Sequence, residues 1–221
     1  MAKVFTLEQR ILKRNSEVAD ENRRNFDAQG VYVVSLGSSP GSGKTSLLEK
    51  SLVLLRGELS VGVVEGDAQT DRDARRIEAL GVPVVQVVTN GTCHLDAQMV
   101  QGALAHIDIG RVELLFIENV GNLVCPASYD LGEHLRVVLS STTEGEDKPL
   151  KYPAMFRRSQ AMVLNKIDLL PYVPYDIAEA RTLALRVNPS LEIFETSCTT
   201  GAGIPEFCQW IVQKLNETSA A

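Results

Sequence analysis

The 221-residue sequence predicts an α/β domain built on a mostly parallel β-sheet with helices on both faces. Three observations predict it. Seven short apolar, β-branched runs recur along the chain, helix-like segments lie between them, and every motif with chemical content falls directly after one of the runs. Alternating strand and helix implies parallel strands joined by crossover helices, and such sheets bind ligands beyond the carboxyl ends of their strands.

The elements follow in order. Residues 6–28 are charged, with apolar positions at Leu7, Ile11, Leu12 and Val18 and a stop at Gly30, and they read as a helix leading into the domain. VYVVSL (31–36) is the first buried strand, bounded by the loop GSSPGSG. Further strands are read at 61–66, 82–89, 113–118, 135–142, 161–166 and 191–196, with helices in SLLEKSLVLL, DRDARRIEALG, LDAQMVQGALAHI, DIAEARTLAL and IPEFCQWIVQKLN. The 18 residues Thr143–Gln160 read as an exposed connection. The expected division is an amino-terminal helix over 1–30, a nucleotide- and metal-binding domain over 31–217 and a tail over 218–221.

Composition narrows the function. A hydrophobic content of 44% supports a core, and a net charge of −6 opposes a nucleic-acid surface, which needs a basic patch. No apolar run approaches the roughly 18–20 residues of a membrane span, and MAKVFTLEQRILKRN lacks a signal-peptide core, so a cytoplasmic protein without membrane contact is expected. The four cysteines, Cys93, Cys125, Cys198 and Cys208, contain no CxxC pair and are read as thiols.

SSPGSGKTS (38–46) follows the first strand and precedes a helix, the context of a phosphate-cradling P-loop. Gly41, Ser42 and Gly43 turn backbone N–H groups inward, Lys44 reaches the β/γ-phosphates, and Thr45, followed by Ser46, faces Mg²⁺. Ser38 stands where the pattern ordinarily begins with glycine. After the sixth strand, Asn165, Lys166 and Asp168 form N-K-x-D. A carboxylate only accepts hydrogen bonds, so Asp168 suits the ring N–H and exocyclic amine of guanine and opposes the ring-nitrogen lone pair of adenine. Backbone N–H groups near Ser197 and Cys198, in ETSCTTGAG, are placed to meet guanine O6. GTP and GDP with Mg²⁺ are therefore the expected ligands.

Two strand ends offer carboxylates. Asp67 is expected to be the close Mg²⁺ ligand, Glu118 to act through water, Gly121 to present its N–H to the γ-phosphate, and Asn122 to stand where many GTPases place a water-orienting glutamine. The shorter amide predicts slow intrinsic hydrolysis. Asp71 and Asp73 read as helix amino-terminal acids. Cys93 and His94, in TNGTCHLDA, follow the third strand, and Cys125 follows the fourth, so all three reach the rim that carries the P-loop. Thiolate with imidazole suits Ni²⁺ or Zn²⁺, and three ligands leave a site for a second chain to complete. His106, His134 and Cys208 read as structural.

GSSPGSGKT, EGDAQTD, GTCHLDA, ENVGNLVCPA, TEGEDKPLKYP and NKIDLLPY, in this order, resemble the hydrogenase nickel-incorporation GTPase family, HypB, over about residues 5–215. The resemblance implies a P-loop NTPase of the SIMIBE type and a GTPase that helps deliver nickel to the large subunit of [NiFe] hydrogenase alongside other accessory proteins. It also implies that Cys93, His94 and Cys125 form the metal site of the G domain at a nucleotide-dependent homodimer interface. Many relatives carry an amino-terminal cysteine motif or a histidine-rich stretch; neither occurs in this sequence, so transfer rather than storage is expected. A urease-type nickel GTPase shares the architecture but carries a Cys-Pro-His motif that is not found here. A partition-type ATPase shows a lysine near the position of Ser39 and lacks N-K-x-D. A metal sensor or buffer with a merely regulatory nucleotide site is the alternative from another class.

The base reading generates a prediction. Asp168→Asn loses guanine and gains xanthine nucleotides, because an amide N–H now donates to the second xanthine carbonyl. Titration with GTP, ATP and xanthosine triphosphate checks it, and equal affinity of the parent for ATP and GTP removes the reading.

Overall fold

The structure, a computed structural model, describes residues 7–219. Among them, seven strands form one sheet, β1 (Tyr32–Ser38), β2 (Val61–Asp67), β3 (Val84–Val88), β4 (Leu114–Glu118), β5 (Leu135–Ser141), β6 (Ala161–Asn165) and β7 (Glu192–Glu195). Their order is β3-β2-β4-β1-β5-β6-β7 and every pairing is parallel. Each expected strand is present, with its ends moved by at most two residues.

The helices are α1 (Leu7–Gln29), α2 (Lys44–Leu55), α3 (Arg72–Glu78), α4 (Ala97–Leu104), α5 (Lys148–Lys151), α6 (Pro153–Arg158), α7 (Ile177–Val187) and α8 (Ile204–Ser219). None of the described helices is long and apolar enough to cross a membrane. Because α8 runs to Ser219, Thr218, expected to open a tail, continues the helix, and the last two residues of that tail lie outside the described residues.

β1 is buried along its whole length, which explains its unbroken apolar run: a parallel strand covered on both faces has no solvent side. Alternate side chains feed two cores. Val34 and Leu36 pack with Leu47, Leu48 and Leu52 of α2 and Phe207 and Ile211 of α8. Val33 packs on the other face with Phe26 of α1 and Val100 and Leu104 of α4.

Two expectations change. The first concerns the face of α1. Ile11 is 46% exposed, and the docking stripe is instead Asn15, Val18, Ala19, Asn22 and Phe26, spaced at helical intervals and all buried. Asn22 Nδ2 donates to the Ala97 carbonyl at 2.9 Å, and the Ala97 N–H donates to Asn15 Oδ1 at 2.9 Å. Polar residues sit in this seam because α1 crosses the start of α4, whose orphan N–H groups need acceptors.

The second concerns 143–160, which is not an exposed connection. It folds into α5 and α6 and buries Pro149, Met155 and Phe156, the last two in a cluster with Leu123, Val138, Met162 and Leu164. Prolines at the start of both helices cut the segment into pieces of four and six residues, too short to show an apolar period in sequence.

Phe26 tests whether α1 belongs to the core. Phe26→Ala is expected to cost about 3–5 kcal/mol of unfolding free energy by urea denaturation, whereas Ile11→Ala stays within about 0.5 kcal/mol of the parent.

Candidate functional site

β1 lies at the middle of the sheet with β4 on one side and β5 on the other, so its carboxyl end opens at the switch point of the strand order. The phosphate loop leaves β1 there and passes directly into α2. Gly43 caps that helix at φ 99°, in the left-handed region, and a Cβ at this position would lie 2.5 Å from Asn165 Nδ2. Only glycine satisfies both conditions. Lys44 Nζ donates to Ser38 Oγ at 2.9 Å, so the serine that replaces the first expected glycine holds the lysine at the loop.

The base loop is tied to the phosphate loop. Asn165 Nδ2 donates to the Ser42 carbonyl at 3.0 Å, and Lys166 Nζ donates to the Gly41 carbonyl at 2.7 Å. Ser197 Oγ donates to Asp168 Oδ1 at 2.6 Å, which brings the carboxylate against the ETSCTTGAG loop. Cys198 Sγ lies 3.5 Å from Asn165 Oδ1, with burial pushing its thiol up. The residues read as nucleotide-binding thus form one contiguous surface at the ends of β1, β6 and β7.

The carboxylates depart from expectation. Thr45 Oγ1 donates to Glu118 Oε1 at 2.7 Å, while Asp67 accepts from the backbone N–H of Gln69 at 2.7 Å and of Thr70 at 2.9 Å. The acid bonded to Thr45 is therefore Glu118, and not Asp67. Sheet order is the reason: β4 adjoins β1, whereas β2 is one strand further out. Glu118 is 2% exposed, its Oε2 has no hydrogen-bond partner, and burial pushes its carboxyl up to about 7 against the pull of Lys44. A buried, half-satisfied carboxyl next to a threonine hydroxyl fits a divalent cation.

Several participants escaped the sequence reading. Glu65, opposite Glu118 in the β2–β4 register, is also 2% exposed with an unpartnered Oε2. Burial, then the Glu118 charge, pushes its carboxyl up to about 8. One carboxylate oxygen each from Glu65, Asp67 and Asp73 lie within 4.8 Å of one another, and Asp73 stands in the first turn of α3, as expected of a helix amino-terminal acid. The available signal was an acid inside the apolar run VGVVEGD. Lys148 of α5 is another. Its Nζ donates to Ser39 Oγ at 3.1 Å and pairs with Glu144 at 3.0 Å, so a lysine does stand at Ser39, supplied from a distant segment.

Cys93, His94 and Cys125 come together. One ligand atom of each lies within 4.8 Å of the others, with Cys93 Sγ 2.9 Å from Cys125 Sγ and 3.8 Å from His94 Nδ1. The hydrogen bond with Cys93, then burial, holds the Cys125 thiol above its ordinary value, while a hydrogen bond with Asn122 pulls it down. Burial pushes His94 down, against Asp96, and favours the neutral imidazole that ligates metals. Tyr129 covers His94 with ring centroids 4.0 Å apart. Asn122 bonds both cysteine loops: its Oδ1 accepts from the Val124 N–H at 2.8 Å and its Nδ2 donates to the Cys93 carbonyl at 3.4 Å. Cys208 is buried in the core, and His134 bonds the Val33 N–H and Asp27, so both are structural.

Fold and phosphate loop together define a P-loop NTPase, and residues 32–195 match the family described as CobW/HypB/UreG, nucleotide-binding domain. Within it the chain belongs to the HypB hydrogenase maturation factors. It is 52% identical to hydrogenase maturation factor HypB of Azotobacter vinelandii over 210 residues, covering 95% of this chain and 69% of that one. It is similar, at TM-score 0.89 and 36% identity, to the crystal structure of HypB from Helicobacter pylori in complex with nickel, covering 93% of this chain and 96% of that one. A LAO/AO transport system kinase, 14% identical, shares the fold alone at TM-score 0.57, over 99% of this chain and 78% of that one.

The buried acids generate a pH prediction. A Glu65 carboxyl raised from 4.5 to about 8 holds a proton that the unfolded chain has released, so its contribution to stability falls as pH rises through that window. In nucleotide- and metal-free protein, Glu65→Gln therefore gains stability over the parent progressively between about pH 5 and pH 8. Urea unfolding across that range checks it; a difference independent of pH removes the assignment.

Proposed function

We propose that the protein is a GTP-hydrolysing metallochaperone that carries nickel, with Zn²⁺ as the competing cargo, and assists nickel insertion into [NiFe] hydrogenase. The observation that carries this reading is the meeting of Cys93, His94 and Cys125 on the rim that also carries the phosphate loop. Two thiols and an imidazole form a soft, borderline donor set that suits Ni²⁺ and Zn²⁺ over Mg²⁺. Family membership and the nickel complex of the H. pylori relative support the cargo.

In this reading Lys44 neutralises charge on the transferred phosphate, the backbone of Gly41–Ser46 cradles the phosphates, and Asp168, Lys166 and Asn165 select and hold guanine. Ser197 and Cys198 close the base site. Thr45 and Glu118 would hold Mg²⁺, with Asp67 one strand further out on the first switch. Mg²⁺ supplies charge neutralisation between the phosphates when bound. Asn122 is engaged with the cysteine loops, and an amide held there is poorly placed to orient the attacking water, so slow turnover is expected.

Three ligands on one chain leave coordination to be completed by a second copy, which makes the homodimer part of metal capture. Gly121 packs on the phosphate loop four residues before Cys125. GTP then favours the dimer and metal capture, metal tightens the GTP-state dimer by the same factor, and GDP releases nickel toward the hydrogenase large subunit or another accessory protein.

Multiple-turnover GTP hydrolysis, metal titration and light scattering test the proposal together. Lys44→Ala abolishes turnover. Cys93→Ala and Cys125→Ala lose Ni²⁺ and Zn²⁺ binding yet hydrolyse GTP near the parent rate, while Cys198→Ala and Cys208→Ala bind metal as the parent does. Parent-rate hydrolysis by Lys44→Ala sinks the phosphate site, undiminished metal affinity in Cys93→Ala/Cys125→Ala sinks the metal site, and absence of turnover in the parent leaves a sensor or buffer.

A further inference from the structure

Two asparagines bracket Gly121 and bond into the loop that carries Cys93 and His94. Asn119 is 5% exposed, and its Oδ1 accepts from the Leu95 N–H at 2.9 Å and the Val120 N–H at 2.9 Å. It anchors the backbone immediately behind His94. Asn122 works on the other side of Gly121. Its Oδ1 accepts from the Val124 N–H, next to Cys125, at 2.8 Å, and its Nδ2 donates to the Cys93 carbonyl at 3.4 Å. One side chain is therefore shared by both cysteine-bearing loops.

The segment between them has little slack. A Cβ on Gly121 would lie 3.0 Å from Pro40 Cα and 3.1 Å from Pro40 N, so this backbone rests directly on the phosphate loop. A displacement of Pro40 or Gly121 reaches Asn122 through one peptide unit. From Asn122 it reaches both thiols: the acceptor bond holds the turn that aims Cys125, and the donor bond holds the backbone of Cys93.

We propose that Asn122 is the positioning residue through which the nucleotide state sets metal affinity, by fixing the Cys93 and Cys125 loops to the backbone that contacts the phosphate loop. The assignment rests on the nucleotide-controlled metal site proposed above. A primary amide is the side chain this job needs, since it offers an acceptor to one loop and a donor to the other; a carboxylate keeps only the first. Water orientation during hydrolysis makes a different demand, a free amide facing the phosphates, and both ends of Asn122 are occupied elsewhere.

The test is Ni²⁺ titration, by competition with a chromogenic chelator, in the Mg²⁺–GDP and Mg²⁺–GTP-analogue states of the parent, Asn122→Ala and Asn122→Asp. The aspartate is isosteric, keeps the acceptor for the Val124 N–H and deletes the donor, so it guards against simple misfolding of the turn. In the parent the two states are expected to differ about tenfold in Ni²⁺ affinity, the ordinary size of such a coupling. In both variants the ratio falls to within about twofold, while absolute affinity drops on the order of 10–100-fold, as when a residue supporting a metal ligand is lost. The Ni²⁺ dependence of GTP-analogue affinity collapses by the same factor. A merely structural role lowers affinity equally in both states and leaves the ratio intact. A parent-sized ratio in either variant overturns the assignment. A ratio of one in the parent instead overturns the nucleotide-controlled site, and the assignment with it.

Discussion

A parallel sheet buried on both faces leaves only the ends of its strands for chemistry, and the other features of this protein follow from that constraint. Helices cover β1 above and below, so its apolar side chains are committed to two cores and only Ser38, at its carboxyl end, reaches the phosphate loop. The loops that leave the carboxyl ends of β1, β2, β3, β4, β6 and β7 are therefore forced onto one rim. Phosphate loop, base loop, carboxylates and cysteines become neighbours because the sheet has nowhere else to put them.

The rim is held by side-chain bonds that reach from loops and helix starts to the phosphate loop and the strand ends. Asn165 and Lys166 grip the carbonyls of Ser42 and Gly41, Lys148 reaches Ser39 from α5, and Thr45 is bonded to Glu118. Glu65 and Glu118 are the costly members. Each is buried with an oxygen that lacks a partner, and burial raises the carboxyl of each above its ordinary value. Such groups weaken the unliganded state and become favourable once a cation neutralises them, which prepares this corner for a metal-bound nucleotide.

The cysteine site follows a different principle. Cys93 and His94 come from beyond β3 and Cys125 from beyond β4, strands that are separated in the sheet by β2. Their loops converge because Asn119 and Asn122 draw the β3 loop toward the end of β4. Soft ligands collect on this outer side while hard oxygen ligands sit beside the phosphate loop, so the two metals the protein is proposed to handle are separated by ligand chemistry.

Strand and helix identity, the phosphate loop and the N-K-x-D loop were legible in the sequence, because each depends on local periodicity or on residues adjacent in the chain, and the meeting of Cys93, His94 and Cys125 was legible from the strands that their loops follow. The burial of 143–160 was not, since helices of four and six residues are too short to show a period. Nor was the docking stripe of α1, where buried Asn15 and Asn22 read as surface until the N–H and C=O groups of Ala97 are placed against them. The sequence reading placed Asp67 as the close carboxylate; strand order put Glu118 beside Thr45, because which strand adjoins β1 is settled by packing of the whole sheet. Lys148 and Asn122 likewise acquired their partners only in three dimensions. The sequence by itself determined which chemical groups this protein possesses, since motif spacing is a one-dimensional property. Which of those groups touch was decided by the tertiary structure, because contacts between loops depend on strand order and burial, and neither is written locally in the chain.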